Sequence, residues 1–415
     1  MIMPVFPGLA PSDIYLPAAH IDLNKWAVVA CDQFTSQIEY WQEVEKEVGD
    51  APSTLRMILP EIYLNEASAN IPGIHASMRR YLKSGVLEKK VENGFVLTER
   101  TTESGVRLGL IAAIDLNAYD YTPGAKPLIR ATEGTIVERI PVRVRIREGA
   151  LLESPHVMVL IDDAGKTVIE KAYERVKDTA PLYDTPLMLN GGRLRGWAIE
   201  KTEELKRIAS ALQALNAKAN GFLYAVGDGN HSLATAKACW TRLHAKLSPE
   251  EQETHPARYA LTEIVNLHSD ALIFEPIHRA LFHADYEDLV NKFAAYAEGR
   301  GFALSEGDDV RFVAGGKETG VSIKGAEGVL PVAILQPFLD DYIKANKNVE
   351  IDYIHGEDAV KSLAENGDTT GILLKSIDKK SLFPSIASEG VLPRKTFSMG
   401  EAWEKRYYME CRRIL

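Results

Sequence analysis

The stretch Tyr224–Thr235, YAVGDGNHSLAT, decides how the chain is read. Tyr224, Ala225 and Val226 continue the apolar run begun at Phe222, which predicts a buried strand. Gly227, Asp228 and Gly229 then break it. An Asp-Gly pair predicts a tight turn, and glycine lets a backbone approach a ligand closely. From Ser232 the apolar residues Leu233, Ala236, Trp240, Leu243 and Leu247 recur at helical spacing, so a helix over 232–247 follows, ended by Ser248-Pro249. A strand that turns sharply into a helix places unpaired helix N–H groups at its mouth, which suits a phosphate. Ligands of open α/β sheets gather at that end of the strands. Ordinary turn and helix-capping chemistry would select the same residue types. The stretch is neither a dinucleotide fingerprint, since the third glycine is missing, nor a Walker A loop, since no Gly-Lys-Ser/Thr follows.

Outward from it, the 415 residues predict a mixed α/β chain of more than one lobe. Glu203–Ala219 has a helical stripe of Leu205, Ile208, Leu212 and Leu215. Trp26–Cys31 reads as a short buried strand, and 37–48 and 74–82 as helices. Strands are expected over 95–97, 107–114, 135–147 and 156–161, then over 259–267 and 271–274. In Ile140–Ile146, IPVRVRI, alternation predicts a strand with Arg143, Arg145 and Arg147 on one face, either solvated or anion-binding. Tyr286–Glu298, 336–346 and 357–365 read as helices, 310–314 and 320–323 as a hairpin, and 349–354 and 371–374 as strands. The tail 401–415 is expected to be helical. No linker separates lobes. A break near 275–285 would divide the chain into an N-terminal α/β region, 1–280, carrying the Asp-Gly turn, and a C-terminal α/β region, 281–415.

Acidic residues outnumber basic ones, 58 to 48, for a net charge of −10. That disfavours a nucleic-acid partner, which demands concentrated Lys and Arg. The longest apolar stretch, Leu108–Ile114, is far shorter than a membrane helix. The N-terminus has no basic region ahead of an apolar core, so a cytoplasmic protein is expected. Cys31, Cys239 and Cys411 are scattered, which predicts neither a disulfide framework nor a zinc knuckle.

The strand-DGNHS-helix pattern resembles the D-G-H-H-R motif of the domain of unknown function 1015 family. Further segments match in order: IRAT at 129–132 with Glu133, Arg143–Arg147 leading into Ser154-Pro155, PIHR at 276–279, Ile351–His355, and LPRKTF at 392–397. The turn is also similar to that of the ParB/sulfiredoxin-type fold, whose members include nucleotide-dependent free-serine kinases. The resemblance implies a ParB/sulfiredoxin-like core and a phosphate-gripping loop of Asp228, Gly229, Asn230, His231 and Ser232. It further implies a nucleotide such as ATP or ADP, bound with Mg²⁺. Asp228 would hold the Mg²⁺ or orient an acceptor hydroxyl, and His231 would donate to a phosphate oxygen. Glu133, in a glycine-bounded segment, would serve as a general base or metal ligand, or stand as a surface carboxylate. Asn230 and Ser232 replace a His and an Arg of the motif, so positive charge must come from Arg130, Arg143, Arg279, Arg394 or Lys395. These residues fit a phosphotransferase acting on a small hydroxylated metabolite. The same loop would equally serve a nucleotide or metabolite sensor without turnover. A ParB-like DNA-binding regulator fits the acidic charge least.

Overall fold

The computed structural model describes residues 4–122, 124–326 and 328–415. The chain is mixed α/β, and its internal contacts divide it into two units. The first holds 4–131, 135–273 and 400–415. The second holds 132–134 and 274–399.

The first unit is built on a ten-stranded sheet. Its path runs Ile129–Ala131, Tyr224–Asp228, Val157–Ile161, Tyr259–Asn266, Gly105–Asp115, Leu87–Thr102, Arg193–Ile199 and Tyr183–Pro186. Leu9–Ala10 pairs with Gly105–Asp115, and Ser12–Pro17 with Leu87–Thr102. Side chains alternate across a strand, so one sheet feeds two cores. Val157, Val159, Ile161, Leu110 and Ala112 pack under the helices Ile169–Val176, Thr202–Asn216 and Asn230–His244, against Ile169, Leu205, Leu212, Leu233 and Trp240. Val96, Ile111 and Leu261 face the other way, into a core shared with Trp26, Val28, Trp41, Met78 and Met409.

The second unit has its own sheet, in the order Lys317–Lys324, Ala303–Ala314, Thr369–Leu374, Phe274–Phe282 and Glu350–His355, with Phe397–Met399 beside Phe274–Phe282. Helices Tyr286–Gly299 and Pro331–Ala345 meet this unit through Phe293, which packs on Phe312 and Phe338 at ring separations of 5.5 and 5.4 Å.

Four expectations fail. Ile140–Arg147 is a helix, not a strand. Ile140 and Val144, one helical turn apart, bury against Ala234 of the following helix. Seven residues of apolar–basic alternation satisfy both periods, and tertiary packing chooses. The tail is not a long helix. It makes a short 3-10 turn at Ala402–Glu404 and a two-residue strand at Arg412–Arg413. Between them Tyr407, Tyr408, Met409, Glu410 and Cys411 are all buried. The tail is enclosed on every side by the first unit, and its backbone bonds go to Tyr15 and Val28 rather than along a helix. Trp26–Cys31 is likewise no sheet strand: Trp26 ends the helix Leu23–Trp26. Its backbone partner is the tail, through Tyr408 N to Val28 O at 2.9 Å and Ala30 N to Arg406 O at 2.7 Å. The strand expected at 271–274 begins instead at Phe274.

Candidate functional site

The strand Tyr224–Asp228, second from the sheet edge, pairs in parallel with Ile129–Ala131 and antiparallel with Val157–Ile161, with its register shifting between Val226 and Asp228. That irregularity skips Gly227, and Asp228 rejoins the ladder opposite Met158 just before the helix Asn230–His244. Gly229, the residue ahead of the helix, has φ +80°, a left-handed conformation. A Cβ there would come within 3.0 Å of His156 Cδ2 and 3.1 Å of Val157 Cα. Two constraints therefore require glycine, and both press the turn against His156.

Around this turn the fold gathers side chains that the sequence scatters. The paired segments 28–30 and 406–408 deliver Asp32 from one chain end and Lys405 and Tyr408 from the other. His156 comes from the residue ahead of Val157–Ile161. Its Nε2 lies 3.1 Å from Asp32 Oδ2, and its Nδ1 lies 2.5 Å from the Tyr408 hydroxyl. The Cys31 N–H donates to the same hydroxyl at 3.0 Å. Gln33 Nε2 donates to Asp32 Oδ1 at 2.8 Å. Lys405 Nζ stands 3.4 Å from Asp228 Oδ2, and Asp228 Oδ1 accepts the Gly229 N–H at 3.0 Å.

Desolvation works against the His156 imidazolium, but the Tyr408 oxygen and the Asp32 carboxylate outweigh it and raise the histidine well above its ordinary value. Desolvation likewise opposes the Asp32 carboxylate, yet His156, Gln33 and the Lys405 ammonium hold it well below the usual carboxylate range. Burial keeps the Tyr408 phenol protonated far above its ordinary range. The corner therefore carries a fixed carboxylate–imidazolium pair at neutral pH. Lys405 adds an ammonium beside the turn, supplying there the charge lost with the motif's arginine.

The residues read from sequence are distributed unequally. Asp228, Gly229, Asn230, His231 and Ser232 form the turn and the first helical residues. The Ile136 N–H donates to His231 Nε2 at 3.2 Å, so Nε2 is the accepting nitrogen of that ring. Arg143 pairs with Glu61, with Nε at 3.1 Å from Oε1. Arg130 lies at the entry end of the strand, opposite the turn, with its guanidinium 4.5 Å over the Phe222 ring and Nε donating to Pro127 O at 3.1 Å. Glu133, Arg279, Arg394 and Lys395 belong to the second unit. There Glu133 bridges to Leu392, and Arg394 and Lys395 are exposed. Arg279 is fully buried and donates from Nε to Gln336 Oε1 at 3.2 Å; burial lowers its guanidinium to about 10. Asp228 is in no cluster of three or more metal-ligating side chains among the described residues. A Mg²⁺ that arrives on phosphate oxygens and keeps several waters fits such a lone carboxylate.

A family model for a protein of unknown function, DUF1015, matches residues 14–377. The chain belongs to this family. Among solved structures, this DUF1015 member is similar to a free serine kinase mutant in complex with ADP, at 11% identity and a TM-score of 0.39, covering 72% of this chain and 91% of the kinase. A conserved hypothetical protein from Pyrococcus furiosus matches at 11% identity and a TM-score of 0.36, covering 72% and 94%. SbnI with a C-terminal truncation, from Staphylococcus aureus, matches at 10% identity and a TM-score of 0.36, covering 70% and 82%. No curated protein matches the chain. Among the described residues, no helix is long and apolar enough to cross a membrane.

Proposed function

We propose that this chain binds a nucleotide through the turn Asp228–Ser232 and transfers a phosphoryl group to the hydroxyl of a small metabolite. The observation that carries the reading is the contact of a glycine-opened helix start with a fixed Asp32–His156 pair and the Lys405 ammonium. Phosphoryl transfer needs positioning and charge neutralisation more than covalent help, and this corner offers both. The phosphate tail would lie on the helix start at Gly229–Ser232, with the N–H dipoles, His231 and Lys405 facing its oxygens. Asp228 would orient the tail from its other side, and bound Mg²⁺ would supply charge neutralisation on the phosphates. The acceptor oxygen would form the new bond to phosphorus as the bridging P–O bond breaks and leaves with the nucleotide. Its proton would pass to an oxygen of the transferred phosphoryl group, while Asp32, held ionised, orients the hydroxyl. Glu133, Arg279 and Lys395 take no part in this reading.

The test is turnover of ATP with hydroxylated metabolites by wild type, Asp32→Asn, Asp228→Asn and His231→Ala. The reading expects the Asp32 variant to lose about 10²–10⁴-fold in rate. It fails if Asp228→Asn and His231→Ala bind and turn over nucleotide like wild type. One observation favours a non-catalytic sensor built on the same loop: Ser232 stands where the motif has a bidentate arginine. That reading expects a nucleotide-dependent thermal shift and no turnover.

A further inference from the structure

Cys31 completes a constellation that the phosphate-binding reading does not use. Its sulfur stands 3.9 Å from His156 Nδ1, on the side of the ring opposite the nitrogen that faces Asp32 at 3.1 Å. Cys31 is also part-exposed, as a group that meets a reagent must be. Reactive cysteines sit part-exposed in electropositive surroundings. Here the cation is an imidazolium whose own charge is fixed by Asp32. The other charged or titratable groups at this corner are Tyr408, whose hydroxyl accepts the Cys31 N–H and lies 2.5 Å from the same His156 Nδ1, Lys405, whose charge acts on Asp32, and Asp228, which pairs with Lys405.

The remaining cysteines are natural controls in the same molecule. Cys411 is buried 3.4 Å from Ser154 Oγ, and burial pushes its thiol up to about 12. Cys239 is part-exposed on the helix Asn230–His244, and burial raises its thiol too. Neither has a histidine–carboxylate pair among its described contacts.

We propose that Cys31 is a reactive nucleophile, modified selectively by soft electrophiles and by peroxide through its Cys31–His156–Asp32 alignment. With iodoacetamide the Cys31 sulfur forms a bond to the methylene carbon, the C–I bond breaks, and iodide leaves. With hydrogen peroxide the sulfur attacks one oxygen and the O–O bond breaks. The cysteine is oxidised to sulfenic acid as the peroxide is reduced to water, the second oxygen taking up the thiol proton. Either adduct adds bulk within contact distance of His156. The proposal goes beyond the nucleotide reading and stands whether or not a nucleotide binds.

The test is a time course of the nucleotide-free full-length chain with substoichiometric iodoacetamide, and separately with hydrogen peroxide, at neutral pH. Peptide mass spectrometry then reads each cysteine. Cys31 is expected to react at least about tenfold faster than Cys239, with Cys411 slower still. His156→Gln should bring Cys31 down to the rate of Cys239, and Asp32→Asn should slow it in part. Equal rates at Cys31 and Cys239 in the wild-type chain overturn the proposal, even if neither variant folds. An unchanged Cys31 rate in a folded His156→Gln variant overturns it as well.

Discussion

Two segments of the first unit read as phosphate sites from sequence, the turn Asp228–Ser232 and the arginine row Arg143–Arg147, and the fold treats them in opposite ways. The arginines are consumed by their own chain. Arg143 pairs with Glu61, Arg145 donates to Ser68 Oγ at 3.1 Å, and Arg147 reaches Glu153 Oε2 at 2.5 Å. Glu153 also takes Arg412 Nε at 2.8 Å and the Leu261 N–H at 2.9 Å, so this row helps lock the tail to the sheet. The turn, with fewer formal charges, draws its electrostatics from elsewhere: Lys405, His156 and Asp32. Counting basic residues alone therefore does not locate a candidate anion site. Arg143 and Arg147 have carboxylate partners, and so does Lys405 in Asp228, so what distinguishes the turn is the helix N–H groups beside its paired charges.

The sharpest way to break this contrast is kinetic. Asp32→Asn should remove about 10²–10⁴-fold of any phosphoryl transfer while leaving the fold intact, read as initial rate against far-UV circular dichroism. Arg143→Met should leave that rate unchanged. Next in size, Arg147→Met leaves Glu153 short of a partner in a buried setting and should cost about 1–3 kcal/mol of stability, measured by urea denaturation. Gly229→Ala places a side chain on a left-handed backbone against His156 and Val157, with a comparable loss of about 1–3 kcal/mol by the same measurement. Smallest is Arg143→Met, a part-exposed pair whose loss should cost about 0–1 kcal/mol.

The pH dependence separates the two regions again. His156 is raised above 6.5 by its partners, so its share of stability is complete below about pH 6.5 and is lost as pH rises through the raised value. Asp32 is held below 3.8, so its share is present above that pH and is lost as pH falls through the depressed value. The difference in thermal midpoint between wild type and His156→Gln should therefore be widest between about pH 4 and 6.5 and shrink above it. A difference flat from pH 5 to 9 would contradict the pairing.

How much of this was legible in the sequence follows from how local each signal is. The strand-turn-helix at 224–244 was readable because the apolar run, the Asp-Gly turn and the helical stripe are contiguous. The helix Thr202–Asn216 was readable from Leu205, Ile208 and Leu212 alone. The row Ile140–Arg147 misled because so short an alternation carries either period, and the deciding contact, Ala234, is far along the chain. Asp32, His156 and Lys405 carried no signal. His156 is 124 residues from Asp32 and 252 from Tyr408, and the tail-to-head pairing that unites them has no pattern of its own. The nearest hint was that Asp32 and His156 each flank a short apolar run.

The central claim is that the Asp228 turn, served by Lys405, grips the phosphates of a nucleotide. Isothermal titration calorimetry of ATP with Mg²⁺ tests it most directly, using wild type, Lys405→Met and Arg143→Met. The account predicts saturable binding by wild type, at least about tenfold weaker binding by Lys405→Met, and wild-type affinity for Arg143→Met. No binding by wild type, or equal affinity after loss of Lys405, would contradict it.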